Sequence, residues 1–291
     1  MLTRSHSRTA EATAAIRACH LRHDHPVLFA DPYAQALTSP VWRRVCDSRV
    51  LHWLLVRVLL RGLRPVHGWI LVRDHLTERC LERFVAAGNR QFVLLGAGFD
   101  STALRRPPWL EGVHIIEVDH PATQAVKLER VKRLGGDRLA RNFEAVAIDF
   151  EKESLDAGLA RSRFTPGEPA LFAWQGVIYY LTDTAIRETL GHIARLTAPG
   201  SELLFDFLLP KHVLADGSGR VQSFAQRFTA RLGERYVSYH TPEEIRALLT
   251  GAGFDVVDIH LDEMLEATYL ADREDGLTAM RGFGIAHARK P

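Results

Sequence analysis

Acidic residues recur at the ends of apolar runs in this sequence, and one run ends in glycine. "QFVLLGAGFDS" passes from an apolar stretch into Gly96, Ala97 and Gly98, with Asp100 two residues later. "GVHIIEVDH" carries Asp119 at its end, and "FEAVAIDF" ends in Asp149 and Phe150. "PALFAWQGVIYYL" contains Gln175 and Gly176, and "SELLFDFLL" contains Asp206. Glycines after a strand let a ligand approach the backbone closely. A carboxylate about 20 residues further on can accept hydrogen bonds from both hydroxyls of a ribose. Asp149 can pair with an adenine amino group while Phe150 covers the ring. These strand ends together predict an adenosine-containing ligand.

The loop also discriminates between such ligands. A dinucleotide site wants a third glycine and a pyrophosphate on a helix N-terminus. Here the third position is Ser101. Asp100 near the helix start suits the helix dipole but repels a pyrophosphate in the same place. S-adenosylmethionine has an adenosine, a sulfonium and an amino-acid tail but no phosphate, and it fits better. A nicotinamide-dinucleotide oxidoreductase is the weaker alternative. A lone Gly-x-Gly is equally compatible with a tight turn.

The elements that must position these residues follow from the hydrophobic rhythm. Five apolar runs alternate with the helix-like stretches "DSTALRR", "PATQAVKLERVKRLG", "DTAIRETLGHIARLT" and "TPEEIRALLTGAG". That alternation predicts an α/β fold, a mostly parallel sheet with helices on both faces. In such sheets ligands sit beyond the carboxyl ends of the strands. "FDVVDIHL" and "RGFGIAHAR" predict two terminal strands forming an antiparallel edge. Residues 1–90 read as an N-terminal helical cap, with Ser7 or Thr9 capping its first helix and Gly88 ending its last. Residues 91–291 form the ligand-binding domain, interrupted at about 210–240 by a helical lid.

Bulk properties exclude several classes. A chain of 291 residues with 46% hydrophobic content suits one large domain or a domain with an elaborated lid. A net charge of +2 argues against a nucleic-acid partner. Three cysteines without a CxxC pair fit a reducing compartment, and the first 20 residues lack an apolar signal-peptide core. Together these predict a cytoplasmic protein acting on a small molecule. "HLRHDH" places His20, His23 and His25 on no single helical face, so no metal is expected. "DPYA" at 31–34 reads as a helix-starting turn. "VLHWLLVRVLLRGL", residues 50–63, is too short to span a membrane, and Arg57 and Arg61 interrupt it. It reads either as a basic amphipathic helix on a membrane surface or as a helix buried against the domain with Arg heads reaching solvent. The buried reading is favoured because apolar residues occupy most of the circumference. No membrane partner is expected.

"VLLGAGFDSTALR", "IIEVDHPATQAVK", "IDF" and "FAWQGVIYYLTDTAI" resemble the leucine carboxyl methyltransferase family. The resemblance is to its bacterial branch, which includes polyketide carboxyl O-methyltransferases. It also covers "RACHLRHDHPVLFADPYA" and "VRDHLTERCLERFVAAGNRQ", and it spans about residues 5–260. It implies a class I methyltransferase fold (Rossmann-like) with a seven-stranded sheet, N-terminal helices and an inserted lid. By position, it implies that Arg73 pairs with the carboxylate of S-adenosylmethionine and that Arg17 does similar work. Gly96, Ala97 and Gly98 form the loop, Asp119 takes the ribose, and Asp149 and Phe150 take the adenine. Gln175 stands where the family usually has Glu, facing the cationic end of the cofactor. The loss of that charge suggests about 1–2 kcal/mol of lost affinity.

The implied activity is O-methylation of a carboxylate on a small metabolite. A carboxylate is ionised at pH 7 and needs no general base, so no catalytic residue is expected. Tyr180, Arg227 and Arg231 are the candidate substrate ligands, with Arg220 and Arg235 beside them in the lid. The alternative is a cofactor-binding homologue with little turnover, acting as a partner or scaffold.

Overall fold

The computed structural model describes residues 7–135, 139–150, 152–214, 222–223, 226–227, 229–230 and 234–291. Seven strands form one sheet: β1 (Gln91–Leu95), β2 (His114–Asp119), β3 (Phe143–Ala147), β4 (Ala170–Trp174), β5 (Glu202–Leu208), β6 (Asp255–Leu261) and β7 (Phe283–Arg289). Their order is β3-β2-β1-β4-β5-β7-β6. The first five pair in parallel, and β7 runs antiparallel to both of its neighbours. The order reverses between β1 and β4, so a crevice opens at their carboxyl ends.

The two terminal strands form the antiparallel edge that the sequence suggested, but in crossed order. β7 is inserted between β5 and β6 and is buried along most of its length. β6, with four exposed or half-exposed residues before Ile259, takes the edge. A uniformly apolar strand needs cover on both faces, and an interior position provides it.

The continuous apolar runs resolve into two faces with period two. Val93, Leu95, Ile116, Val118, Phe172, Trp174, Leu203 and Phe205 pack with α7 (Leu155–Leu159), α8 (Asp183–Leu196) and α9 (Pro242–Gly251). Phe92, Leu94, Ile115, Leu171 and Ala173 pack against Leu81, Phe84 and Val85 of α4 (Arg64–Ala86). Further along α4, Trp69, Leu71, Val72 and Leu76 pack on Leu204, Leu208 and Ile285. α4 thus covers the sheet along its length, and a short α10 (Asp262–Tyr269) joins that side through Leu265.

α1 (Arg8–His23) begins where Ser7 Oγ accepts from the amide of Ala10, 3.1 Å away. α4 ends before Gly88, whose φ of +95° stops the helix. Asp31 Oδ1 accepts from the amides of Tyr33 and Ala34 and starts the 3-10 turn Ala34–Leu37, as "DPYA" implied. α2 (Pro40–Asp47) and α3 (Arg49–His52) follow, and α3 continues into a π-helical stretch Trp53–Leu59. α5 (Thr102–Arg105) and α6 (Pro121–Lys132) follow β1 and β2.

The segment at 50–63 is not buried as the circumference argument had it. His52, Val56 and Leu63 point inward, while Val50, Leu51, Trp53, Leu54, Val58 and Leu59 are exposed. An apolar circumference needs a neighbour on every side, and α1 and α4 cover only one. Among the described residues no helix is long and apolar enough to cross a membrane.

Candidate functional site

A cavity of about 770 Å³ opens at the strand ends, large for the roughly 300–1,000 Å³ of small-molecule sites. Gly96, Ala97, Gly98, Asp119, Asp149, Phe150 and Gln175 all line it, as do Arg17, Arg73 and Tyr180. The structure therefore brings together every expected cofactor residue and one of the three expected substrate residues.

The glycine loop is shaped from two sides. Gly96 and Gly98 have φ of +68° and +53°, which side-chain-bearing residues rarely adopt. A Cβ on Gly96 would sit 2.3 Å from Val177 Cγ2, and one on Gly98 would sit 3.0 Å from Ala10. The amides of Gly96 and Ala97 donate to Val118 O at 2.8 and 3.1 Å. Asp119 accepts from the amides of Gly98 and His120, the latter at 2.6 Å. Burial raises its pKa from the usual carboxylate value, against those two amide bonds. A carboxylate has about four acceptor sites, so two remain for vicinal hydroxyls.

Asp100 caps the four-residue α5, with its Oδ1 2.7 Å from the amide of Thr102. Burial acts to raise its pKa, but Lys127, Arg17 and Arg105 outweigh that and hold it below the usual value. A charged carboxylate therefore occupies the place where a dinucleotide would need its pyrophosphate. Beyond β3, Asp149 is held by Lys152 Nζ at 2.6 Å, and the Phe150 ring is 44% exposed. A ring so presented is free to cover a planar base.

Arg73 and Arg17 form a buried network that the sequence did not reveal. Arg73 Nη1 donates to Asp206 Oδ2 at 3.1 Å, and its Nε lies 3.4 Å from Asp74 Oδ1. Arg17 donates to Asp31 at 2.8 Å, to Asp74 at 3.3 Å and to Phe99 O at 2.6 Å. Burial opposes the charge on Arg73, but Asp206 and then Asp74 overcome it and raise its pKa. Asp206 is fully buried and also accepts from Gly176 N at 2.6 Å and Trp69 Nε1 at 3.4 Å. A guanidinium carries five N–H donors, so each arginine keeps some for a ligand carboxylate. Gln175 Nε2 donates to Thr77 Oγ1, which leaves its amide oxygen as an acceptor.

The far wall is aromatic. Tyr179, Tyr180 and Tyr236 cluster with ring centroids 4.8 to 5.4 Å apart. Burial holds Tyr180 well above the usual phenol pKa, so it is a neutral donor. Arg227 does not join it: exposed, it donates from Nε to Ser223 O at 3.3 Å and lines no part of the cavity. Arg220 and Arg231 lie outside the described residues. Arg235 does line the cavity. Beside it, Glu234 accepts from the hydroxyls of Ser7 and Thr9, the first at 2.9 Å, tying the start of α1 to the far end of the range expected to form a lid, much of which lies outside the described residues. Contacts 225 and more residues apart carry no local sequence signal.

Two of the three histidines of "HLRHDH" are engaged within the protein, while His25 is exposed. His20 bonds Asp24 and the amide of Leu28, and His23 bonds Cys46 O and stacks on His52.

The leucine carboxyl methyltransferase model matches residues 10–194. The Bacillus subtilis protein YktD, named a "putative S-adenosyl-L-methionine-dependent methyltransferase", is 25% identical over 98% of both chains. A Mycolicibacterium smegmatis protein of the same description is 32% identical over 77% of this chain and 74% of its own. Among solved structures, a DUF574-family protein from Streptomyces avermitilis superposes with a TM-score of 0.63 at 15% identity, covering 98% of both chains. A "putative methyltransferase" from Thermobifida fusca gives 0.61 at 17%, covering 99% of this chain and 96% of its own. At these identities the two structures speak for the class I fold alone. The family match spans the glycine loop, the strand-end acids Asp119 and Asp149 and both site arginines, and the chain belongs to the leucine carboxyl methyltransferase family, the S-adenosylmethionine-dependent methyltransferases that its sequence resembles.

Proposed function

We propose that the chain transfers a methyl group to a carboxylate of a small-molecule metabolite. The observation that carries this reading is that Tyr180, a neutral donor, and Arg235, a cation, both line the cavity. Two such donors suit an anionic acceptor.

The residues present fit S-adenosylmethionine. Asp119 keeps acceptor capacity for the ribose, the Phe150 ring is open to an adenine, and Arg73 and Arg17 keep N–H donors for the carboxylate. When bound, the cofactor supplies a methyl group already activated on a sulfonium. The chain's own work is then alignment and exclusion of water. Tyr180 and Arg235 hold the acceptor oxygen in line. The hydroxyls of Ser7 and Thr9 on Glu234 hold the end of the lid segment over the site. The acceptor arrives ionised, so no side chain has to remove a proton.

Incubation with labelled S-adenosylmethionine and a panel of small carboxylic acids tests this. Label released as methanol by mild base reports a methyl ester. Alkali-stable label would move the acceptor to nitrogen or a phenol, while leaving methyl transfer standing. A second reading, a cofactor-binding homologue with little turnover, is favoured by the neutral Gln175. Tight binding without transfer to any acceptor would support it.

A further inference from the structure

Residues 49–61 present an exposed face that methyl transfer does not use. Val50 and Leu59 are 72% and 66% exposed, and Trp53 is 59% exposed. Leu51, Leu54 and Val58 complete the face, and Val41 of α2 lies exposed beside it in sequence. Isolated exposed apolar residues need no explanation, but a run of six within ten positions does. Between Asp47 and Asp74 the chain has five arginines and no acid. Two of these, Arg57 and Arg64, are spent inward: Arg57 donates to Asp275 O at 2.6 Å, and Arg64 pairs with Asp24 at 2.6 Å. A third, Arg73, belongs to the site. Arg49 and Arg61 remain exposed, together with Arg44 of α2, and none of the three has an acidic partner among the described residues.

We propose that this face docks on an anionic lipid surface, with Trp53 and the flanking Leu and Val side chains entering the headgroup layer and Arg44, Arg49 and Arg61 meeting the lipid charge. The chemistry matches the site. An interfacial helix combines an apolar face, a Trp and unpaired cations, and its cations gain from the surface potential of anionic lipid. A second copy of the chain is a poorer occupant. A two-fold contact sets the patch against itself and brings the like charges of Arg49 and Arg61 together. The face is also continuous with the cavity. The inward residues of the same stretch, Val56, Leu60 and Leu63, line it together with Trp42. The π-helical turn at Trp53–Leu59 lets one short segment present apolar side chains on both sides, and such turns cluster at functional sites.

Sedimentation of the full chain with vesicles tests the proposal. We expect binding to 1:1 phosphatidylcholine/phosphatidylglycerol, little to phosphatidylcholine alone, and loss of binding in high salt. Trp53→Ser/Leu59→Ser and Arg49→Glu/Arg61→Glu should each weaken partitioning at least tenfold. Both variants should keep wild-type affinity for S-adenosylhomocysteine, which reports an intact fold. Absence of binding to the anionic vesicles overturns the proposal, as does equal binding by the variants. A dimer in solution that Trp53→Ser/Leu59→Ser dissolves would assign the face to a second copy and also overturn it. None of these readouts depends on which acceptor is methylated.

Discussion

Arg73 carries two burdens that a single substitution confounds. It neutralises Asp206, which has no solvent exposure, and it lines the cavity in which we propose that it meets the cofactor carboxylate. In Arg73→Met, Asp206 keeps only the Gly176 amide and the long Trp69 bond. A buried carboxylate stripped of its cation costs about 3–5 kcal/mol. Much of the loss of function would then be loss of fold. Arg73→Met/Asp206→Asn separates the two effects, because the asparagine keeps an acceptor for Gly176 without the charge. We expect the single variant to unfold about 3 kcal/mol more easily in urea and the double variant to recover about half of that. Both should bind S-adenosylhomocysteine at least tenfold more weakly by calorimetry, a loss of about 1.4 kcal/mol or more. A single variant within about 0.5 kcal/mol of wild type, the spread of ordinary surface substitutions, would refute the buried-pair reasoning. A double variant with wild-type affinity would remove Arg73 from the site.

Three further outcomes are expected. Gly96→Ala should cost about 1–3 kcal/mol and weaken cofactor binding, because its Cβ meets Val177 at 2.3 Å in a left-handed conformation. Gly88→Ala, equally left-handed but with nothing within 4 Å, should cost less in the same urea titration. Gln175→Glu should tighten S-adenosylmethionine binding several-fold by calorimetry and leave that of uncharged adenosine unchanged. His52 is held down to about 4 by burial and by His23, so the unfolded chain takes up its proton first as pH falls. Its contribution is intact above pH 6.5 and is lost progressively on the way down to about 4. His52→Phe should flatten the stability–pH profile in that window, and an unchanged slope would show that His52 does not set it.

All seven strands were legible because each is a short apolar run bounded by turn residues, and the glycine loop and acidic strand ends were legible because they follow those runs directly. The position of β7 was not, because strand order depends on which edge a strand can reach and not on its own composition. The exposure of Trp53 was not, because a hydrophobic circumference says nothing about how many neighbours surround it. Arg227 and Arg235 look alike in the sequence, and only the path of the chain around the cavity separates them. Asp74 and Asp206 sit 132 positions apart and meet at one guanidinium.

By itself the sequence determined the alternation of strand and helix, the loop that must be glycine and the residue types at each strand end. These are consequences of local sterics and hydrophobic period. Only the tertiary structure decided which charges are neutralised, which arginine reaches the cavity and which apolar face stays open. Those depend on groups far apart in the chain meeting where water is excluded, and there a charge without its partner is too costly to keep.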